Sequence, residues 1–359
     1  MSTSTQSPVR VAEDPRGPIR PQRRLPRYAA LGLYLAGIAL GAALSALTGF
    51  SIALTVIYGV ILGTLAVYVG ARAVEGRRKA TDRLVTALVT TAFAIAMVPL
   101  VSLVYTVLDK GLARFDAQFF TNSMFRVVGE GGGAYHAILG TVIITAVTAV
   151  ISVPIGLLTA IYLVEYGSGR LKRAITFFVD VMTGIPSIVA GLFAFALFTL
   201  LFGNDVRLGL MGAAALSVLM IPVVVRSCEE VLKLVPNELR EASYALGVPK
   251  WRTIVKVVLP TAIAGLGTGI TLAVARVIGE TAPLLITVGL ITGTNLNPFD
   301  GRMATLPVFA YYQLTQPGTA TQAFLDRAWT AALVLIILVM VLNVVARLIS
   351  RLFAPKTGR

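Results

Sequence analysis

Three formal charges lie inside the apolar stretches of this chain, away from its C-terminal end: Asp180, Arg276 and Glu280. An ionisable group at membrane depth costs roughly 2.5 to 3.5 kcal/mol on insertion scales, so it faces a bundle interior or a water-filled path. Arg276 and Glu280 are four residues apart, a spacing that puts both on one face of a helix, mid-span and one turn further out. As a helix-stabilising pair they are in the wrong order, since the favourable arrangement places the acid before the base. An oxyanion path suits them better. A guanidinium presents a two-pronged fork to phosphate-like oxygens that lysine lacks. A carboxylate competing for that fork keeps the site shallow enough for the anion to leave. Thr281, next in the chain, joins Arg276 and Glu280 as a candidate pathway residue. The competing reading is a structural ion pair, Arg276 with Asp180 or with Glu280. Asp180 lies within the first two turns of its stretch, where its charge can reach the boundary at little cost.

Other chemistries find little support. No GxxxxGK[ST] loop is present, so the chain has no such cradle for ATP phosphates, and any ATP and Mg ion are expected in a partner subunit. His136 is the single histidine and Cys228 the single cysteine, which argues against a transition-metal site, a nucleophile–base pair or an internal disulfide. No metal or other cofactor is expected on this chain, and it reads as a non-enzyme. Glycines 131 to 133 precede no strand and open no nucleotide motif, so they read as a re-entry turn and not as a phosphate cradle.

The elements that must position these residues are membrane helices. Of 359 residues, 56% are hydrophobic and 13% charged, with a mean hydropathy of +0.83. This composition points to an integral membrane protein. Apolar runs of spanning length occur at 28–48, 50–71, 84–108, 137–164, 174–202, 208–225, 262–290 and 328–350. An all-α architecture of two N-terminal spans followed by a core of six is therefore expected. Residues 1–27, rich in proline, serine and arginine, read as a disordered basic tail. Residues 28–71 read as an extra transmembrane hairpin, with Gly37 and Gly41 spaced to meet Gly59 and Gly63. Residues 72–83 read as a charged linker, and 84–353 as the core, with a loop at 227–261. Pro154, Pro186 and Gly279 interrupt spans, so kinks are expected there, and Pro186 is the candidate hinge.

The net charge of +14 sorts by side. With the N-terminus inside, inner segments hold 24 of the 31 Lys and Arg and outer segments six, so both termini and the 227–261 loop are expected in the cytoplasm of a multi-pass protein. The same sorting accounts for the basic balance through membrane lipid, without nucleic acid.

Residues 238 to 246 favour a helix, Gly247 suits the positive φ that ends it, Pro249 suits the start of the next helix, and Pro260 is expected to stop that one. Glu241, Ala242, Ser243, Gly247, Val257, Leu259 and Pro260 resemble the EAA loop of bacterial ABC importer permeases, with Ser243 for alanine and Val257 for isoleucine as departures. Beyond that loop, GIPSIVAGLF at 184–193, ARVIGETAPLL at 275–285 and AWTAALVLIILVMVLNVVARLI at 328–349 resemble the PstA family of phosphate ABC importer permeases, over roughly Leu84 to Phe353. The first two spans fall outside that resemblance.

The resemblance implies a type I importer permease in the bacterial cytoplasmic (inner) membrane. Its partners are expected to be a PstC-like second permease, a PstB-like pair of ATPase subunits, and a PstS-like extracytoplasmic phosphate-binding protein. Glu241, Ala242, Ser243 and Gly247 would couple to the ATPase. The alternatives are a permease for another oxyanion, which would differ only in substrate, a secondary transporter that runs without ATP, and a structural membrane anchor.

Overall fold

The computed structural model describes residues 25–353 apart from 27, 48, 50 and 205. Most of the tail read at 1–27 therefore lies outside the described residues. The chain divides into two compact units, residues 1–103 and 104–359, and every regular element among the described residues is helical.

The first unit holds α1 (Ala29–Leu47), α2 (Ile52–Val74) and most of α3 (Arg77–Gly111). Small residues let α1 and α2 meet backbone to backbone, as the glycine spacing predicts. A Cβ on Gly37 would lie 2.5 Å from the Gly63 nitrogen, and one on Gly41 would lie 2.6 Å from the Gly59 nitrogen. The hydroxyls of Ser45 and Thr55 bond across the same seam at 2.7 Å. The stretch 72–83 is less a loop than expected. Arg72 still belongs to α2, residues 77–83 form the first two turns of α3, and only Glu75 and Gly76 turn the chain. Glu75 accepts from the Leu25 amide and from Arg83, and these donors, the amide first, hold its carboxyl below the usual carboxylate range.

The second unit continues from the end of α3 through α4 (Ala117–Thr121), α5 (Tyr135–Ile161), α6 (Gly169–Thr183), α7 (Ser187–Phe202), α8 (Gly209–Lys233), α9 (Asn237–Ala245), α10 (Lys250–Thr253), α11 (Leu259–Ile278), α12 (Ala282–Thr287), α13 (Leu306–Thr315) and α14 (Thr321–Phe353). Helix α8 is the axis: α5, α6, α7, α11 and α12 all pack on it, and Met211, Ala213, Ala215, Met220, Val224, Val225, Cys228 and Leu232 along it are fully buried. Cys228 thus fills space, as a small interior side chain does.

Among the described residues, seven helices are long and apolar enough to cross a membrane, and an eighth crossing is reached only if a bent pair serves as one. That pair corrects the expectation of a single kinked span at 174–202. Helices α6 and α7 meet at 106° across residues 184–186, because glycine followed two residues later by proline interrupts the amide ladder. The run at 262–290 is likewise two helices, α11 and α12, separated at residues 279–281. By contrast, α5 continues through Pro154, so that proline does not break its helix.

On one side of the second unit, Arg327 is fully buried. It donates to the carbonyls of Gly129 and Gly131 at 2.8 and 2.9 Å and to the Gln313 side chain at 3.1 Å. Arg114 donates to the carbonyls of Gly131 and Gly132. The glycine-rich turn therefore offers carbonyls to two cations, which fits a structural turn. His136 is buried edge-on against Phe309, with ring centroids 5.5 Å apart.

Candidate functional site

Proline and glycine chemistry creates two helix breaks, and the fold brings them together. At the first, Gly184 caps α6 and Pro186 precedes α7, whose first residue is Ser187. The Val189 and Ala190 amides reach back to the Pro186 carbonyl, the first two amides of α7 have no acceptor inside their own helix, and this end carries the positive pole of the helix dipole. At the second, a continuous helix would drive the Pro283 ring into the Gly279 carbonyl four residues earlier. Helix α11 therefore stops at Ile278, Gly279 caps it, and α12 starts at Ala282. Gly191 lets α7 lie against the second break, since a Cβ there would stand 2.7 Å from the Pro283 Cα.

The breaks share a cavity of about 200 Å³, walled by Met182, Thr183, Ile185 and Ser187, by Leu219 and Val223 of α8, and by Arg276 and Glu280. Arg276 occupies the last turn of α11 and is exposed, while Glu280 lies in the break, half-buried. The expectation that both share one face of a continuous helix is thus corrected. The cavity brings the two together across the end of a helix. Neither forms an ion pair or side-chain hydrogen bond among the described residues, so the structural pairing of Arg276 with Asp180 or Glu280 is absent. Asp180 instead accepts from Arg226. Thr281 faces elsewhere, lining a separate groove of about 450 Å³ with Leu285, Tyr311, Leu314 and Trp329. Pro186 lies at the break itself, adjoining Ser187 of the cavity wall.

The second candidate region is the hairpin around Gly247. Helix α9 ends with the Gly247 amide on the Tyr244 carbonyl at 2.9 Å and the Val248 amide on the Ser243 carbonyl at 3.2 Å. That pairing requires the left-handed backbone found at Gly247, φ 73°. Ser243, which replaces the alanine of the EAA pattern, bonds its hydroxyl to that of Thr253 at 2.8 Å and ties the two arms together. Pro260 does not stop the second arm. Lys250–Ile278 runs on as one helical rod, because a π turn at Ile254–Val258 widens the ladder just ahead of the proline ring. Ile254 is buried, whereas Leu246 and Trp251 are 82% and 57% exposed. Glu241 and Ala242 are exposed as well.

Sequence reasoning missed the clamp beneath this hairpin. Arg240 donates to Glu165 at 2.8 and 3.0 Å and to the carbonyls of Leu232 and Val235, fastening α9 to the π turn after α5 and to the end of α8. No local spacing reveals it, because Glu165 and Arg240 lie 75 residues apart.

Fold and site together define a helical, multi-span membrane transport subunit. Residues 152–359 match the family of binding-protein-dependent transport system inner membrane components. The chain is 49% identical over 276 residues to phosphate transport system permease protein PstA 1 of Mycobacterium tuberculosis (strain CDC 1551 / Oshkosh), covering 76% of this chain and 90% of that one. It is 36% identical to PstA of Pasteurella multocida over 76% of this chain and 95% of the relative. A solved bacterial ABC transporter involved in alginate import aligns over 76% of this chain and 96% of its own at a TM-score of 0.54 and 12% identity, a likeness of fold. The chain belongs to the binding-protein-dependent transport system inner membrane components and, within them, to the PstA permeases.

Proposed function

We propose that this chain is the phosphate-conducting permease subunit of an ATP-driven importer, and that phosphate passes through the cavity at Arg276. The carrying observation is an arginine with no ion-pair or side-chain hydrogen-bond partner among the described residues, in a cavity at two helix breaks where α7 begins. A guanidinium fork and a helix N-terminus both favour an oxyanion. Glu280 on the same wall supplies the repulsion that keeps the anion from lodging. The identity to PstA permeases supports phosphate as the anion.

In this reading the chain hydrolyses no ATP. An ATPase pair carrying ATP and Mg works beneath it, a second permease completes the path, and an extracytoplasmic binding protein delivers phosphate. Both termini and the Gly247 hairpin face the cytoplasm of an inner-membrane protein, as the inside-positive charge pattern supports. Leu246 and Trp251, exposed at the hairpin tip, dock on the ATPase, and burying each contributes about 1.5 to 3 kcal/mol.

The test is phosphate uptake by vesicles holding equal amounts of assembled complex. Arg276→Gln abolishes uptake with assembly intact, and Arg276→Lys, which keeps the charge without the fork, restores part of it. Normal uptake by Arg276→Gln removes the cavity from the path.

A further inference from the structure

We infer that Arg226 is a second anion station at the mouth of this cavity, held shut by Asp180 until an oxyanion takes the place of that carboxylate. The inference rests on the reading of the Arg276 cavity as the phosphate path.

The cavity is walled on one side by Met182 and Thr183 at the end of α6 and on another by Leu219 and Val223 of α8. Asp180 lies two and three residues before the α6 wall, and Arg226 lies three residues beyond Val223. Along both helices the Asp180–Arg226 pair therefore stands within about one 5.4 Å turn of the cavity. The pair ties α6 to α8 at the side toward the Gly247 hairpin. That side is the exit for an imported anion.

The charges here are unequal in their commitments. Glu229 is buried and accepts from Lys233 at 2.7 Å and from Arg226 at 2.8 Å. It keeps one cation when Arg226 turns away. Arg226 divides its guanidinium between Glu229 and Asp180, whose side chain is 58% exposed. Asp180 is the less buried of the two carboxylates on Arg226, so it is the one an incoming anion replaces. A phosphate offers the same fork geometry with more charge.

Exchange has a mechanical consequence. Apart from this pair, α6 rests on α8 through a small apolar patch, Val179 against Val225 with Ile175 and Ile221 beside them. Helix α6 also leads straight into the break that walls the cavity. Releasing Asp180 frees the end of α6 nearest the cavity and widens the mouth. An anion reaching Arg226 thus opens its own way out.

The experiment uses the whole complex in proteoliposomes loaded with inorganic phosphate, reading ATP-dependent uptake and ATP-independent efflux. Asp180→Asn, which frees the arginine, raises efflux severalfold. Arg226→Gln breaks the same pair yet removes the station. It lowers uptake by about tenfold or more, the loss expected of one charge-assisted contact, and does not raise efflux. Arg226→Lys assembles with intermediate uptake. If Asp180→Asn and Arg226→Gln behave alike, or if Asp180→Arg combined with Arg226→Asp restores normal uptake, the pair merely pins two helices and the inference is overturned. Should Arg226→Gln fail to assemble, unchanged efflux in Asp180→Asn overturns it alone. These outcomes concern Arg226 only. The underlying cavity reading stands or falls separately with Arg276→Gln.

Discussion

Glu280 shows what a two-residue displacement from a helix end does to a side chain's role. Inside a helix it would sit one turn above Arg276 and neutralise it. Beyond the Gly279 cap it lines the same cavity without bonding the guanidinium. In the proposed path its negative charge acts on the anion at Arg276 and weakens that hold. Glu280→Gln is therefore expected to deepen the site: phosphate retained by the assembled complex rises, and the uptake rate falls severalfold. Rapid filtration of labelled phosphate from the complex, together with uptake rates, measures both. Unchanged retention would reduce Glu280 to an inert part of the wall.

Among the elements, the Gly247 hairpin depends most on a single position. Its two closing hydrogen bonds need a backbone that L side chains adopt at a cost of about 1 to 2 kcal/mol, and a β-branched residue is worse still. Below the turn, the Ser243–Thr253 bond and the Arg240 clamp hold the arms and the base. Gly247→Val consequently distorts the tip while leaving the base fastened, so the protein still inserts. Expected are a loss of ATPase subunits on co-purification, or ATP hydrolysis without uptake. A variant that retains both the ATPase and normal transport would exclude the tip as the contact.

For the whole molecule, the question is whether α1 and α2 are needed for the rest to insert. They close on each other through glycines and hydroxyls. Removing two crossings leaves every later orientation unchanged, and Arg72, Arg77, Arg78 and Lys79 would then lead α3 and keep its start inside. Deleting residues 1–71 is expected to give a protein that inserts with the same loop orientation, read from reporter tags placed in the loops. Inverted or failed insertion would make the N-terminal hairpin part of the insertion signal.

The sequence by itself determined what depends on composition and short-range spacing. Apolar length sets the helices, because the hydrocarbon layer requires it, and proline and glycine mark the breaks at 184–186 and 279–281. The EAA spacing locates the Gly247 turn, and the isolated charges single out Arg276 and Glu280. Tertiary structure alone decided how these local features meet. It brought the two breaks into one cavity with α8 as a further wall, and it sent Thr281 to a different groove. It paired Asp180 with Arg226 instead of Arg276, and it let Pro260 pass inside a helix by widening the turn before it. The physical reason is the same in each case. Backbone sterics act within a few residues and are written in the chain, whereas a side chain's partner is whichever group the packing of distant helices delivers.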